Sequence, residues 1–374
     1  MRVLICPDKF AGTLSAPAAA AAIAQGWASV APDDRLVRKP LADGGPGFLD
    51  VVAEAVEGVG ISVRTCDPLG RPVPGKVLLV GDTGFVESAQ ACGLHLLEAS
   101  ERDPKRTTSY GLGLLIAAAV ESGARRVVVG LGGSATNDGG AGMLAALDAA
   151  PLDAAGLALP YGGAALLGCH DLTGPPRTRE VALVAATDVD NPLLGIHGAT
   201  VVFGPQKGAS REDVLLLDQA LERFTSVLRE RLPECPPDLP DLPGAGAAGG
   251  IGAALYALGA TRESGMALVR RITGLDRALD GVDLVVTGEG SFDAQSLRGK
   301  VVAGVAEAAL TRGLPCLVIA GQVRVGRRDI ASAGITGAYS VTDHVGSLEQ
   351  ALARPWEGLR SLAARIAGQW SPRR

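Results

Sequence analysis

Residues Arg126 to Gly142 read Arg-Val-Val-Val-Gly-Leu-Gly-Gly-Ser-Ala-Thr-Asn-Asp-Gly-Gly-Ala-Gly, and an apolar run from Met143 to Ala149 follows. The consecutive valines predict a buried strand, and the glycines with Ser134, Thr136 and Asn137 predict a loop feeding a helix capped near Asn137 or Asp138. Such a turn lets backbone N–H groups approach an anion, and a helix N-terminus behind it adds roughly half a positive charge. A tight strand-to-helix connection without a ligand would read the same way. Repetition favours the ligand: similar loops recur at 7–14, 41–47, 186–193, 203–210 and 286–300, most with Gly beside Asp, Asn or Lys. Ligands of open α/β sheets lie outside the carboxyl ends of the strands, where such loops collect, so several together predict one shared site.

The runs on either side give the fold class. Val3 to Cys6 reads as a strand, Ser15 to about Val30 as a helix, Leu36 to Arg38 as a strand and Phe48 to Glu57 as a helix, an order that favours a parallel sheet. From Val63 to Glu87, short alternating runs with turn signals at 67–72 and 81–84 predict antiparallel strands. Tyr110 to Ser122 is a helix, Val181 to Ala185 and Thr200 to Phe203 are strands, and Arg211 to Arg231 is an amphipathic helix. The five prolines between 233 and 243 predict a rigid surface linker. A strand at Asp283 to Thr287, a loop from Gly288 to Lys300, a helix at Val301 to Thr311 and a strand at Pro315 to Ala320 restore the opening pattern. With 374 residues, two domains of about 100 to 200 residues fit. The expected architecture is α/β in two non-similar domains: a Rossmann-like doubly wound domain from residues 1–65 and 283–374, and an inserted mixed α/β domain from 66–282.

Composition narrows the function. Hydrophobic residues at 47% and charged residues at 20% suit a globular enzyme, and the net charge of -5 gives no electrostatic case for nucleic acid. No run approaches the roughly 18 apolar residues of a membrane span, so no membrane partner is expected. Six scattered cysteines without a Cys-x-x-Cys pair read as buried hydrophobes of a reducing cytosol, which makes a cytoplasmic protein the expectation. The four histidines lie outside the glycine-rich loops and read as packing or surface residues. Only six of 35 basic residues are lysines, and Lys9, Lys207 and Lys300 fall in glycine-rich loops, where a compact, flexible ammonium suits an anionic ligand.

No P-loop motif is present. Gly130-x-Gly132-x-x-Ala135 fits the looser dinucleotide pattern, with Asp148 and Asp153 near the position of a ribose ligand, so an NAD(P)-dependent oxidoreductase stays open. Gly244 to Gly249 has similar spacing but no strand before it. The acidic and lysine-bearing loops suit phosphoryl transfer, which needs oxygen ligands for Mg²⁺, a carboxylate near the acceptor hydroxyl and cations along the phosphates. Asp188, Asp190 and Asn191, Asp293 with Glu289, and Lys207 with Lys300 supply those types. Each aspartate taken alone could equally be a turn or helix cap.

Gly132-Gly133-Ser134-Ala135-Thr136-Asn137-Asp138-Gly139-Gly140, Asp188-Val189-Asp190-Asn191-Pro192-Leu193, Phe203-Gly204-Pro205-Gln206-Lys207-Gly208-Ala209 and Gly288-Glu289-Gly290 with Asp293, Gln295, Gly299 and Lys300 resemble the bacterial glycerate kinases of the glycerate 2-kinase type. The resemblance implies ATP- and Mg²⁺-dependent phosphorylation of D-glycerate, commonly on the 2-hydroxyl, in a cleft between two α/β domains. It implies Asp188 or Asp293 as the base that orients the hydroxyl, Lys300 and Lys207 on phosphate or carboxylate, and Asp190 or Asp293 on the metal. Asp8, Lys9, Asp43, Gly44 and Gly45 would serve the acceptor. Gly132, Gly133, Ser134, Asn137, Asp138, Gly288 and Glu289 would serve the nucleotide. A monomer or homodimer is expected.

The chain departs from the family pattern at four places. Ala11 replaces a lysine, although Lys9 sits two residues away on the same side of an extended segment. Pro46 and Phe48 replace Glu and Thr, and Ser291 replaces Arg. These changes leave room for a related small sugar acid as substrate, or for a non-catalytic sugar-acid sensor.

Overall fold

The computed structural model describes residues 1–10, 12–178, 180–297 and 301–371. In chain order its strands are β1 Arg2–Ile5, β2 Arg35–Arg38, β3 Val59–Cys66, β4 Pro72–Val80, β5 Thr83–Glu87, β6 Arg126–Gly130, β7 Pro151–Leu152, β8 Asp171–Leu172, β9 Ala182–Ala186, β10 Thr261–Glu263, β11 Leu284–Phe292, β12 Cys316–Val323 and β13 Gly337–Ser340. They build a five-stranded sheet, a six-stranded sheet and the small β7–β8 ribbon, so the chain is mixed α/β. Two compact units result, one of Met1–Asp43, Asp50–Val56 and Met266–Arg374, the other of Gly44–Leu49 and Glu57–Gly265. No helix among the described residues is long and apolar enough to cross a membrane.

In the first unit every strand is parallel, in the order β2-β1-β11-β12-β13. Counted within the unit this is 2-1-3-4-5, the doubly wound order whose switch point falls between β1 and β11. Val3, Leu4 and Ile5 and Leu284, Val285 and Val286 are fully buried, as expected for parallel strands covered on both faces. Ser15 caps the helix Ala16–Ala28 by accepting the Ala18 N–H at 3.3 Å. β11 runs further than its apolar run foretells. Gly288, Glu289 and Gly290 continue the strand, with Glu289 opposite Ala320 and Phe292 opposite Val323 of β12, so the loop begins after Phe292.

The second unit holds the sheet β10-β9-β6-β5-β4-β3, parallel from β10 to β5 and antiparallel at β4 and β3. β6 lies between β5 and β9, which explains why Val127, Val128 and Val129 are buried. The helix Arg211–Arg231 forms over its expected span, capped reciprocally by Ser210 and Asp213, with Leu217, Leu221, Phe224 and Leu228 buried along one face.

Three expectations need correction. Thr200 to Phe203 is helical, as part of Ala199–Phe203; so short an apolar run carries no readable period, and Thr200 is held inside by the Asn137 side chain. Residues 233–243 run over the surface as expected but are not a bare linker: they contain the turn Leu239–Asp241, and Leu239 is buried in the second unit's core with Leu232 and Leu255. The units change over near 57 and 265 rather than at 65 and 282. β3 already pairs with β4 from Val59, and the helix Gly265–Thr273 sets Met266 against Gly304 of the first unit.

Gly249 offers a direct test of this packing. It sits at φ +70°, and a Cβ there would stand 1.9 Å from the Thr136 carbonyl oxygen. Gly249→Ala is expected to destabilise the protein by about 2–5 kcal/mol, from left-handed strain plus overpacking. An unchanged urea midpoint would contradict the packing of this turn on the loop that follows β6.

Candidate active site

At the carboxyl end of the first unit's sheet, the loops after β1 and β2 and the outer half of β11 come together. The Asp8 N–H donates to the Gly288 carbonyl at 2.8 Å, and the Leu41 N–H to the Pro7 carbonyl at 2.9 Å. Asp8 is buried; its carboxylate accepts the Lys9 N–H at 2.7 Å and has the Lys9 ammonium 3.7 Å away. Glu289 is buried on β11, and Asp43 is half-buried at the end of the 39–43 loop. Asp293 accepts the Gln295 N–H at 2.8 Å while its own N–H donates to Ser296 Oγ at 3.1 Å, which is an Asx turn. Lys300 lies outside the described residues, as do Ala11 and Gly299.

In the second unit the Gly44–Leu49 segment lies against the loop that follows β6 and the end of β9. A Cβ on Gly44 would meet the Ala186 carbonyl oxygen at 2.9 Å, one on Gly132 the Gly45 Cα at 2.7 Å, and one on Gly133 the Pro46 ring at 2.7 Å. The turn expected to cradle phosphate is therefore crowded on this side by residues 44–46. Its glycines are required for one loop to touch another.

The helix behind that turn is short, Ala141–Ala146; it begins at a left-handed Gly140, and its first-turn N–H groups are capped by the Asp138 carboxylate, as expected, and not by Asn137. Both of those residues are interior braces. Asp138 accepts the Ser109 N–H and hydroxyl at 2.8 Å each and the Gly140 and Gly142 N–H groups at 3.2 Å each. Burial pushes its pKa up, against the pull of these donors. Asn137 is fully buried and donates to Thr200 Oγ1 at 3.0 Å.

Lys207 is likewise internal, with only 2% of its surface exposed. Its ammonium donates to Ser134 Oγ at 3.1 Å and to the Thr136 carbonyl at 2.6 Å, so it ties the glycine-rich loop to the turn Pro205–Lys207 and is not free to reach a ligand. Burial lowers its pKa from 10.5 to about 8, with Asp138 opposing. Between those values the unfolded chain keeps the proton and the folded protein sheds it, so stability from this group rises with pH. Relative to Lys207→Met, which removes the titration, the native protein should gain about 3 kcal/mol across that window in urea unfolding. A constant difference from pH 7 to 10.5 would contradict it.

Asp188 and Asp190 follow β9 at the carboxyl end of the second unit's parallel strands. Asp188, half-buried just beyond β9, accepts the Ser264 hydroxyl at 2.5 Å, and the exposed Asp190 pairs with Arg262. Both partners belong to the segment of β10, which sequence reasoning missed because Thr261-Arg262-Glu263-Ser264 contains no apolar residue to mark a strand. A carboxylate held by a hydroxyl in this way can orient an alcohol and take its proton. Among the described residues no group of three or more His, Cys, Asp or Glu is arranged to hold a metal. Mg²⁺ needs fewer protein ligands, since it keeps waters and phosphate oxygens around one or two carboxylates, and Asp190 or Asp293 would supply the hard oxygen it prefers.

The dinucleotide alternative loses its acids. Asp148 pairs with Arg177, and Asp153 accepts the Ala155 and Leu157 N–H groups at 2.9 Å each, so one is held in an ion pair and the other in a turn.

Comparison with known proteins agrees with this geometry. A profile of the glycerate kinase family matches residues 3–371. The chain is 41% identical over 377 residues to glycerate 2-kinase of Escherichia coli (strain K12), covering 98% of each chain. It is 40% identical over 372 residues to glycerate kinase of Bacillus subtilis (strain 168), covering 98% of this chain and 97% of that one. A crystal structure from Salmonella typhimurium LT2 assigned to glycerate kinase 2 superposes with a TM-score of 0.81 at 39% identity, over 99% of this chain and 98% of that one. With its fold, motifs and full-length relatives in agreement, the chain belongs to the glycerate kinase family.

Proposed function

We propose that the protein transfers the terminal phosphoryl group of ATP to the 2-hydroxyl of D-glycerate, releasing ADP and 2-phosphoglycerate. The observation that carries this reading is the Asp188 carboxylate, hydrogen-bonded by Ser264 at the carboxyl end of a parallel strand, in a chain whose whole length matches the family. Asp188 orients the acceptor hydroxyl and takes its proton as the new O–P bond forms and the bond to the ADP oxygen breaks. Asp8, Lys9 and Asp43 serve the acceptor, with Lys9 supplying a cation. Gly288 and Glu289 serve the nucleotide, and Lys300 a phosphate. Mg²⁺, on Asp190 or Asp293, would neutralise phosphate charge. Lys207, Asn137 and Asp138 keep the loop after β6 in shape without touching ligand. The two compact units act as the two domains of the enzyme.

ADP release from ATP with D-glycerate tests the reading. Turnover is expected, and excess EDTA should abolish it until Mg²⁺ is restored. No ADP with D-glycerate would reject the acceptor, and full activity in EDTA would reject the metal.

A further inference from the structure

The geometry points to a nucleobase subsite in the first unit, at the carboxyl ends of β11, β12 and β13; it rests on the reading of ATP as phosphoryl donor. A cavity of about 190 Å³ opens there. One side is polar, formed by Ser291 of β11, Gln322 of β12 and Thr342 just past β13. The other is apolar, formed by Phe10 after β1 and by Leu348, Leu352 and Pro355 from the C-terminal helices.

Charge, size and hydrogen bonding select the occupant. Among the described residues, none of those lining the cavity is Lys, Arg, His, Asp or Glu. A carboxylate or phosphate would lose its water against walls that carry no charge of their own, so glycerate and the phosphates are poorer occupants than an uncharged group. A cavity of about 150 Å³ accepts benzene, so this one takes a flat heteroaromatic ring while the ribose and phosphates stay outside.

Such a ring must also bring a hydrogen-bonding edge. Ser291 Oγ is buried and has no partner among the described residues. Gln322 Oε1 accepts from Arg324 at 2.6 Å, which leaves the amide NH₂ as the end that can donate. Leu348 and Leu352 lie one turn apart on the helix Leu348–Ala353, line the cavity, and stay 42% and 54% exposed. A flat ring seated against them would cover both while its edge meets Ser291 and Gln322.

Adenosine, which has the base and no phosphate, is the probe. Saturation-transfer NMR on the full-length protein should show adenosine bound and displaced by ATP. Leu352→Glu places a charge at the exposed mouth, and Ala351→Phe fills the wall. Each should weaken adenosine at least tenfold and raise the KM for ATP, with the KM for D-glycerate changed less than twofold. Because Ala351 is buried, the exposed Leu352 variant decides if the other fails to fold. Unchanged adenosine affinity in folded Leu352→Glu overturns the subsite, as does glycerate phosphorylation without detectable adenosine binding. Adenosine binding that both variants abolish, in a protein that never phosphorylates glycerate, upholds the subsite and rejects the acceptor.

Discussion

Asp188→Asn should lower kcat about 10³-fold with the KM for both substrates and the thermal midpoint nearly unchanged. The asparagine keeps the shape of the side chain and an acceptor for the Ser264 hydroxyl, but it cannot take a proton, and a positioned general base contributes roughly 10²–10⁴ in rate. Ser264→Ala leaves the carboxylate in place and removes one of its anchors, so a smaller fall of about tenfold in kcat is expected, with Ser264→Thr recovering most of it. Steady-state kinetics on purified variants separate the cases. Wild-type turnover in Asp188→Asn would remove Asp188 from the chemistry.

Asp138→Ala should act on folding. Its carboxylate gathers four donors from Ser109, Gly140 and Gly142 in a fully buried place, and deletion strands all of them. A loss of about 3–5 kcal/mol is expected in urea unfolding, enough to threaten expression of a protein of ordinary stability. If Asp138 instead contacted nucleotide, the variant would melt normally and show a raised KM for ATP.

Asp138 and its neighbours also mark where sequence reading stops. β6 was legible because Val127 to Val129 form an apolar run closed by glycine, and the helix Arg211–Arg231 because its buried residues repeat every three or four positions. The α/β class followed from such runs, and the family from motifs spread along the chain. Gly132 and Gly133 were legible as residues that something must approach closely, but the something is Gly45 and Pro46, remote in sequence, and the local wording for an anion cradle is the same. Lys207 belongs with them. A lysine in a glycine-rich loop suggests a solvent-facing cation, and only the fold places Ser134 and Thr136 where they can satisfy it inside. The strand that anchors Asp188 and Asp190 carries no hydrophobic signal, so Arg262 and Ser264 could be found only in three dimensions.

The central claim is phosphoryl transfer to the 2-hydroxyl of glycerate, and ¹H and ³¹P NMR of the product formed from ATP and D-glycerate tests it most directly. A phosphorus signal coupled to the C2 proton, growing in step with ADP, is the expected result. Coupling to the C3 protons would contradict the choice of hydroxyl, and a spectrum in which both reactants persist would contradict the function.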